Sequence, residues 1–124
     1  PFSYVYVGNS IYLHCALEGK KLDLIRRDNR VSFCVIQGGA PFFKLPDTFS
    51  MEYKSAMVFG KIYEVADDQE KLQGLIALVE KYFHDDPELI EVGKVKAASS
   101  QHRPAVLRLD IDHLTGKVRS EKAK

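Results

Sequence analysis

The sequence predicts a mainly β domain with helices: an antiparallel barrel carrying helices at its rim. Three observations predict it. Segments that alternate apolar and polar residues, the period of a half-buried strand, recur along the chain. They are not interleaved at regular spacing with crossover helices, which a parallel α/β sheet would need. One long stretch, Asp67 to Phe83, carries apolar residues at helical spacing. About six strands and one long helix are therefore expected. The 124 residues, 45% of them hydrophobic, suit a single domain.

Phe2 to Val7 alternates aromatic and β-branched residues, as a half-buried strand does. Gly8-Asn9-Ser10 is turn chemistry, and Ile11 to His14 resumes the strand, making a hairpin with a short loop. Small residues follow at Cys15-Ala16, then Glu18-Gly19. Lys20 to Arg27, with Leu22 and Ile25 set against arginines, reads as a short helix that Asp28-Asn29 ends. Val31 to Ile36 is apolar on both faces, which predicts burial inside a barrel wall. Gln37 to Ser50 holds Gly38-Gly39, Pro41 and Pro46 and reads as a loop. Its Phe42, Phe43 and Phe49 are expected to cover an apolar pocket or a subunit interface, or to plug one end of the barrel.

Met51 to Ala66 is a long strand, with Gly60 predicting a bulge or bend. Asp67 starts the long helix as an acidic cap, with Glu70 three residues on. Leu72, Leu75, Ile76, Val79 and Phe83 make its face toward the barrel, and His84 to Pro87 ends it. Glu88 to Arg103 admits a short helix and a loop. Ala105 to Asp112 alternates strongly and is a strand; Gly116 predicts a turn before Val118. The charged tail SEKAK is expected to fray. His84, His102 and His113 fall in loop or terminal settings and support no role.

Composition narrows the function classes. A net charge of +1 makes no electrostatic case for a nucleic-acid partner. No run approaches the roughly 18–20 apolar residues that cross a bilayer, and no signal peptide is visible. Cys15 and Cys34 both stand in apolar strand contexts and are expected to be reduced, buried thiols, as in a cytoplasmic protein. The cysteines and four histidines show no zinc spacing. The chain opens on Pro1, so residues of its natural N-terminus are expected to be missing.

The chemistry concentrates between Ile11 and Val35. A strand ends at His14, a small-residue turn follows, and Lys20 and Lys21 open a helix. The N–H groups of a first helical turn lack intrahelical partners and carry partial positive charge. Two adjacent lysines add full charge, so the segment suits a phosphate. On charge pattern alone it also suits a surface helix with solvated lysines.

Several motifs fall in one order. They are His14-Cys15-Ala16, Glu18-Gly19-Lys20-Lys21, Leu22-Asp23, Arg26-Arg27 and Arg30-Val31-Ser32-Phe33. Tyr53-Lys54-Ser55-Ala56-Met57-Val58-Phe59-Gly60, Leu114-Thr115-Gly116-Lys117 and the opening Pro1-Phe2-Ser3-Tyr4 complete the set. Together they resemble the FMN-binding split-barrel superfamily, the group of the pyridoxamine 5'-phosphate oxidases, and within it the nitroimidazole-reductase-like branch. The resemblance covers nearly the whole chain.

It implies an antiparallel Greek-key split barrel with a helix and a strand upstream of Pro1. It implies FMN as cofactor, with Lys20 and Lys21 on the phosphate and Ser55 donating a hydroxyl to the phosphate or ribityl region. His14 and Cys15 would line the ring or ribityl side, and the backbone of Pro1, Phe2, Ser3 and Tyr4 would run along the ring edge. Lys117 is a further candidate near the site. His14 is the one candidate for a direct chemical role; Cys15 has no base in the right context to make it a nucleophile. A homodimer with the flavin at or near the subunit interface is implied too. It agrees with the packing argument that a small barrel filled by its own side chains cannot enclose a three-ring cofactor.

The chain departs from the pyridoxamine oxidase branch itself. That branch's substrate-phosphate arginine pattern near the C-terminus is not found, since Arg103 and Arg108 stand in unlike contexts. Two readings follow. In one, a flavoenzyme passes electrons to a small-molecule acceptor, with any NAD(P)H bound transiently because no Rossmann glycine pattern is present. In the other, the barrel is a non-catalytic module holding flavin or haem; haem would need an axial ligand from His14 or a C-terminal histidine.

Overall fold

The computed structural model describes residues 3–44, 48–99 and 104–120. The predicted positions Pro1, Phe2, Pro46, His102 and Arg103, and the tail from Glu121, lie outside the described residues. In chain order the elements are β1 (Tyr4–Val7), β2 (Ser10–Cys15), α1 (Lys20–Arg27), β3 (Arg30–Lys44), β4 (Thr48–Glu64), α2 (Asp68–Tyr82), α3 (Pro87–Ala98) and β5 (Ala105–Arg119). The strands form one sheet in the order β1-β2-β5-β4-β3. Setting β2 beside β5, and not beside β3, is the Greek-key excursion. Among the described residues there are thus five strands and three helices, where about six strands and one long helix were expected.

The chain divides into two compact units. The first holds residues 1–30 and 61–111, the second residues 31–60 and 112–124. In the first, β1 and β2 form the expected hairpin, with Val7 opposite Ser10 across the two-residue turn Gly8-Asn9. β2 then pairs antiparallel with β5, Ile11 opposite Leu109 and Leu13 opposite Leu107. Directly opposed residues share a face, so these four make one apolar row, each at most 3% exposed. The alternate residues face α2 and α3. There Val65, Leu75, Ala97 and Val106 form a core with Tyr12, Leu72 and Ile76 packed against it.

The helices begin where the sequence places stops and caps. The Asp67 carboxylate accepts the Glu70 N–H at 2.8 Å, and the Asp86 carboxylate accepts the Leu89 N–H at 3.1 Å ahead of Pro87. α1 matches its predicted bounds, and Asp28 caps its C-terminus. The α2 face is corrected at one position. Leu78 is buried at 5% exposure, while Phe83, the residue after the last turn, is 46% exposed. The ambiguous stretch after Pro87 is one continuous helix to Ala98.

The second unit holds the larger corrections. The predicted loop Gln37 to Ser50 is two strand arms: β3 runs on to Lys44 and β4 starts at Thr48. The glycines and proline punctuate by local preference, but pairing overrides them here. A Cβ on Gly39 would lie 2.9 Å from the Glu52 Cβ and 3.0 Å from its carbonyl oxygen, so Gly39 permits a close approach of the two arms. Pro41 lies on β3, the last strand in the sheet order, and edge strands are where a sheet tolerates proline. Gly116 likewise makes no turn; it and His113 lie inside β5, which continues to Arg119.

The expected two-sided burial of Val31 to Ile36 does not occur. Val31, Phe33 and Val35 are half-buried, whereas Ser32, Cys34 and Ile36 are exposed, the alternation of a strand covered on one side. Both cysteines are free thiols, but only Cys15 is sheltered; Cys34 is exposed, contrary to expectation. Phe43 and Phe49 pair with ring centroids 6.2 Å apart and are both more than three-quarters exposed.

Candidate functional site

β2 ends at Cys15, and four residues carry the chain into α1. Gly19 sits at φ 146° and ψ 172°, a conformation open to glycine and strained for any L side chain. It is also the N-cap, and having no side chain it makes no side-chain capping hydrogen bond to the first turn. Its carbonyl accepts the Asp23 N–H at 3.2 Å. Leu22, 1% exposed, anchors the helix in the core and so fixes where its N-terminus lies.

A hollow of about 350 Å³ opens there, lined by Cys15, Ala16, Glu18, Gly19, Lys20, Lys21 and Leu22. It joins a helix start without a side-chain cap to two lysines, which is the donor set an anion needs. Glu18 and the acidic Asp23 of the first turn oppose that charge in part. Burial pushes the Cys15 thiol up, Lys21 pulls it down, and Glu64 raises it again, for a net rise. Cys15 therefore stays a protonated thiol near neutrality, in line with its reading as a lining residue and not a nucleophile.

The other predicted site residues are placed as follows. His14 is exposed, one residue from Cys15 and on the opposite side of β2, and does not line the hollow. Ser3 is exposed, ahead of β1, and Tyr4 begins that strand. Ser55 is half-buried on β4 in the second unit. Lys117, on β5 in the same unit, lies 6.0 Å from the Tyr53 ring centroid.

At the far end of α1 a second hollow, also about 350 Å³, runs from Ile25 to Asn29 and from Ile62 to Glu64. Arg26 makes a two-pronged contact with Glu64 at 2.6 and 3.2 Å, which lowers the Glu64 carboxyl. Arg30 holds the Asp28 carboxyl down at about 2 through side-chain and backbone hydrogen bonds. Its charges are therefore largely internally paired.

One polar cluster has no place in the sequence reading. The Arg108 guanidinium donates to both Glu70 oxygens at 3.0 Å and to Asp110 at 2.9 Å. The Tyr12 hydroxyl donates to Glu70 at 2.7 Å, and Ser10 donates to Asp110 at 2.7 Å. Arg108 also lies 5.4 Å from the Tyr63 ring centroid. The cluster ties β2, β5 and α2 together on the helix-covered face of the sheet. Its signal was present in the alternation Ser10-Tyr12 against Arg108-Asp110, since the register sets Ser10 opposite Asp110 and Tyr12 opposite Arg108.

Burial first, then Glu70, push Tyr12 up to about 12. A pKa raised on folding contributes stability in full below the unfolded value, and that stability is lost as pH rises through the folded one. The expected result is a loss of stability between about pH 10 and 12. Tyr12→Phe should abolish the highest tyrosine step in an ultraviolet titration. An unchanged titration would remove Tyr12 from the cluster.

The family model for pyridoxamine 5'-phosphate oxidase matches residues 1–118. The chain belongs to the pyridoxamine 5'-phosphate oxidase family. The resemblance carried by the motifs therefore holds, as does the expected fold class: mainly β with helices, the antiparallel split barrel of this family. No curated protein matches the chain.

Solved structures share the fold. A candidate 5-nitroimidazole antibiotic resistance protein of Bacteroides thetaiotaomicron matches at 24% identity and a TM-score of 0.67, over 95% of this chain and 66% of that one. A FAD-binding protein of Mesorhizobium loti matches at 23% and 0.62, over 94% and 73%. The FAD and haem binding protein of Mycobacterium smegmatis matches at 21% and 0.77, over 98% and 58%. The chain thus spans just under two thirds of the length of the first of these proteins.

Proposed function

We propose that this family member binds FMN and works as a flavin-dependent oxidoreductase on a small-molecule acceptor. The observation that carries the reading is the hollow at the start of α1, with Lys20, Lys21 and a helix terminus without a side-chain cap. Family membership supports it, as do fold relatives described as flavin-binding. The lysines and first-turn N–H groups would take the phosphate. When bound, the flavin supplies the electron-transfer chemistry. Ser55 and Lys117 enter as further contributors, each testable by its own alanine variant. Any NAD(P)H would bind transiently, and the nitroimidazole-reductase-like activity is one acceptor class to assay.

The absorbance spectrum of the purified protein tests the reading directly. Flavin bands near roughly 370 and 450 nm are expected, the electronics being the cofactor's own. Acid release and chromatography distinguish FMN from FAD. Anaerobic mixing with NADH and with NADPH then shows which of them bleaches the flavin. A protein that carries no flavin bands after incubation with excess FMN and gel filtration would end the proposal.

One observation favours a second reading, a non-catalytic flavin- or haem-binding module: two fold relatives are described as a FAD and haem binding protein and a flavocytochrome. In this chain a haem iron would need His14, or His113 on β5, as axial ligand. A Soret band in the same spectrum would favour it over the first.

We also propose a homodimer with the flavin at or near the interface. The second unit exposes Phe43, Phe49, Met51 and Phe59, an apolar surface that a second copy would cover. Light scattering at micromolar concentration should give twice the chain mass of 14.1 kDa. A monomer that retains FMN tightly would refute the shared site. No helix of the described residues is long and apolar enough to cross a membrane. The free thiols suit the reducing cytoplasm, which is the compartment we propose.

A further inference from the structure

α3 has a seated face and an exposed one. The seated face carries Ile90, Gly93 and Ala97 at helical spacing, with Ala97 buried. A Cβ on Gly93 would lie 2.6 Å from a Val79 methyl, so α3 sits tight on α2 along this line. The opposite face carries Leu89, Val92 and Val95, at 46%, 52% and 71% exposure. A surface helix ordinarily keeps polar residues there. Glu88 and Lys96 bracket this apolar stripe and, among the described residues, neither has an ion-pair partner. Lys94, by contrast, is taken by Glu80 at 3.6 Å and Glu91 at 3.8 Å.

The exposed face is complementary to itself. Val92 is its centre; Leu89 and Val95 stand three residues to either side, Glu88 and Lys96 four. Three and four are the offsets that stay on one helix face. A second α3 laid antiparallel on this face, about a two-fold axis at Val92, sets Leu89 against Val95 and Glu88 against Lys96, each pair twice. Apolar groups then meet apolar groups, and each carboxylate meets an ammonium. A parallel copy would set Glu88 on Glu88 and Lys96 on Lys96. The helix dipole alone accounts for an acid at the start and a base at the end, but not for three apolar residues between them. We infer that this face of α3 is a self-association surface whose occupant is the α3 of a second copy, antiparallel about Val92. It is distinct from the Phe43 and Phe49 surface of the second unit and requires no flavin. Five residues a side fall far short of the roughly 20–30 of a standard interface, so the contact is weak and forms at high concentration.

Sedimentation of the full chain from micromolar to roughly millimolar concentration tests this. The average mass should rise about twofold over that range, from whatever assembly is present at micromolar concentration. Val92→Arg sets two like charges on the axis and should abolish the rise, leaving the micromolar mass unchanged. Glu88→Lys alone should weaken the association roughly fivefold, and Glu88→Lys with Lys96→Glu should restore it, since the pair is then swapped and not lost. Cross-linking reads the geometry. In a Cys34→Ser background, which removes the exposed native thiol, Val92→Cys should form a disulfide between copies with oxidised glutathione. Leu89→Cys should not, because three residues either side of the axis separate the two thiols by about 9 Å along the helix.

A rise in mass that survives Val92→Arg would place the association elsewhere and overturn the inference. Cross-linking of Leu89→Cys as efficient as that of Val92→Cys would overturn the antiparallel arrangement. A face reserved for a different protein gives neither a rise nor a cross-link at Val92→Cys, and that pair of results would overturn the second copy as its occupant.

Discussion

Replacing Lys20 and Lys21 together with alanine should lower FMN affinity by two orders of magnitude or more. The two residues line the hollow at the start of α1 and would each make a charge-assisted contact with the phosphate. Such contacts are worth roughly 1.5–3 kcal/mol apiece, so losing both exceeds the loss that a hundredfold change in affinity represents. The fold should survive, because both side chains are exposed and the helix is anchored by Leu22. The helix N-terminus remains in the variant, so some affinity should persist. Titration of the folded variant with FMN, followed by flavin fluorescence, decides the matter. Wild-type affinity in a folded double variant would show that the phosphate binds elsewhere.

Leu107→Ala should destabilise the protein by about 3–5 kcal/mol, the range for emptying a fully buried leucine site. Leu107 is 1% exposed and lies directly opposite Leu13, itself 1% exposed, in the row that β2 and β5 share. The loss combines the removed transfer free energy with the cavity left behind, which a row fixed by strand pairing cannot readily close. A domain of ordinary stability holds only about 5–15 kcal/mol, so the midpoint of urea unfolding should fall sharply at unchanged slope. A shift worth under about 1 kcal/mol would mean that this row is not the core of the first unit.

Elements whose signals are local were legible from the residues alone. Lys20 to Arg27 is bounded by a glycine at one end and Asp28-Asn29 at the other, and the helix has those bounds. Asp67 with Glu70 is a cap whose hydrogen bond depends on three residues of spacing. The β1–β2 hairpin depends on a turn dipeptide between alternating strands. The paired lysines at a helix start are equally local, and Lys20 and Lys21 do open α1 at the edge of the hollow. The family followed from motif order alone.

What the tertiary structure decided is where partners override punctuation. Gly38, Gly39 and Pro41 signal a loop on their own, yet a strand arm runs through them because Glu52 comes close enough to use the missing Cβ of Gly39. Gly116 likewise sits inside β5, although nothing approaches it closely enough to require a glycine. Whether Val31 to Ile36 is covered on one face or two depends on what packs against it, which no period within six residues records. The Ser10–Tyr12–Glu70–Arg108–Asp110 cluster joins residues up to 100 positions apart. The hydrogen bonds from the Lys81 ammonium and the Tyr82 hydroxyl to the Tyr4 carbonyl span 77 and 78. Local conformational preference acts over a few residues and is written in the sequence; a hydrogen bond across the fold exists only once the register of β2 against β5 and the seating of α2 have brought its two groups together.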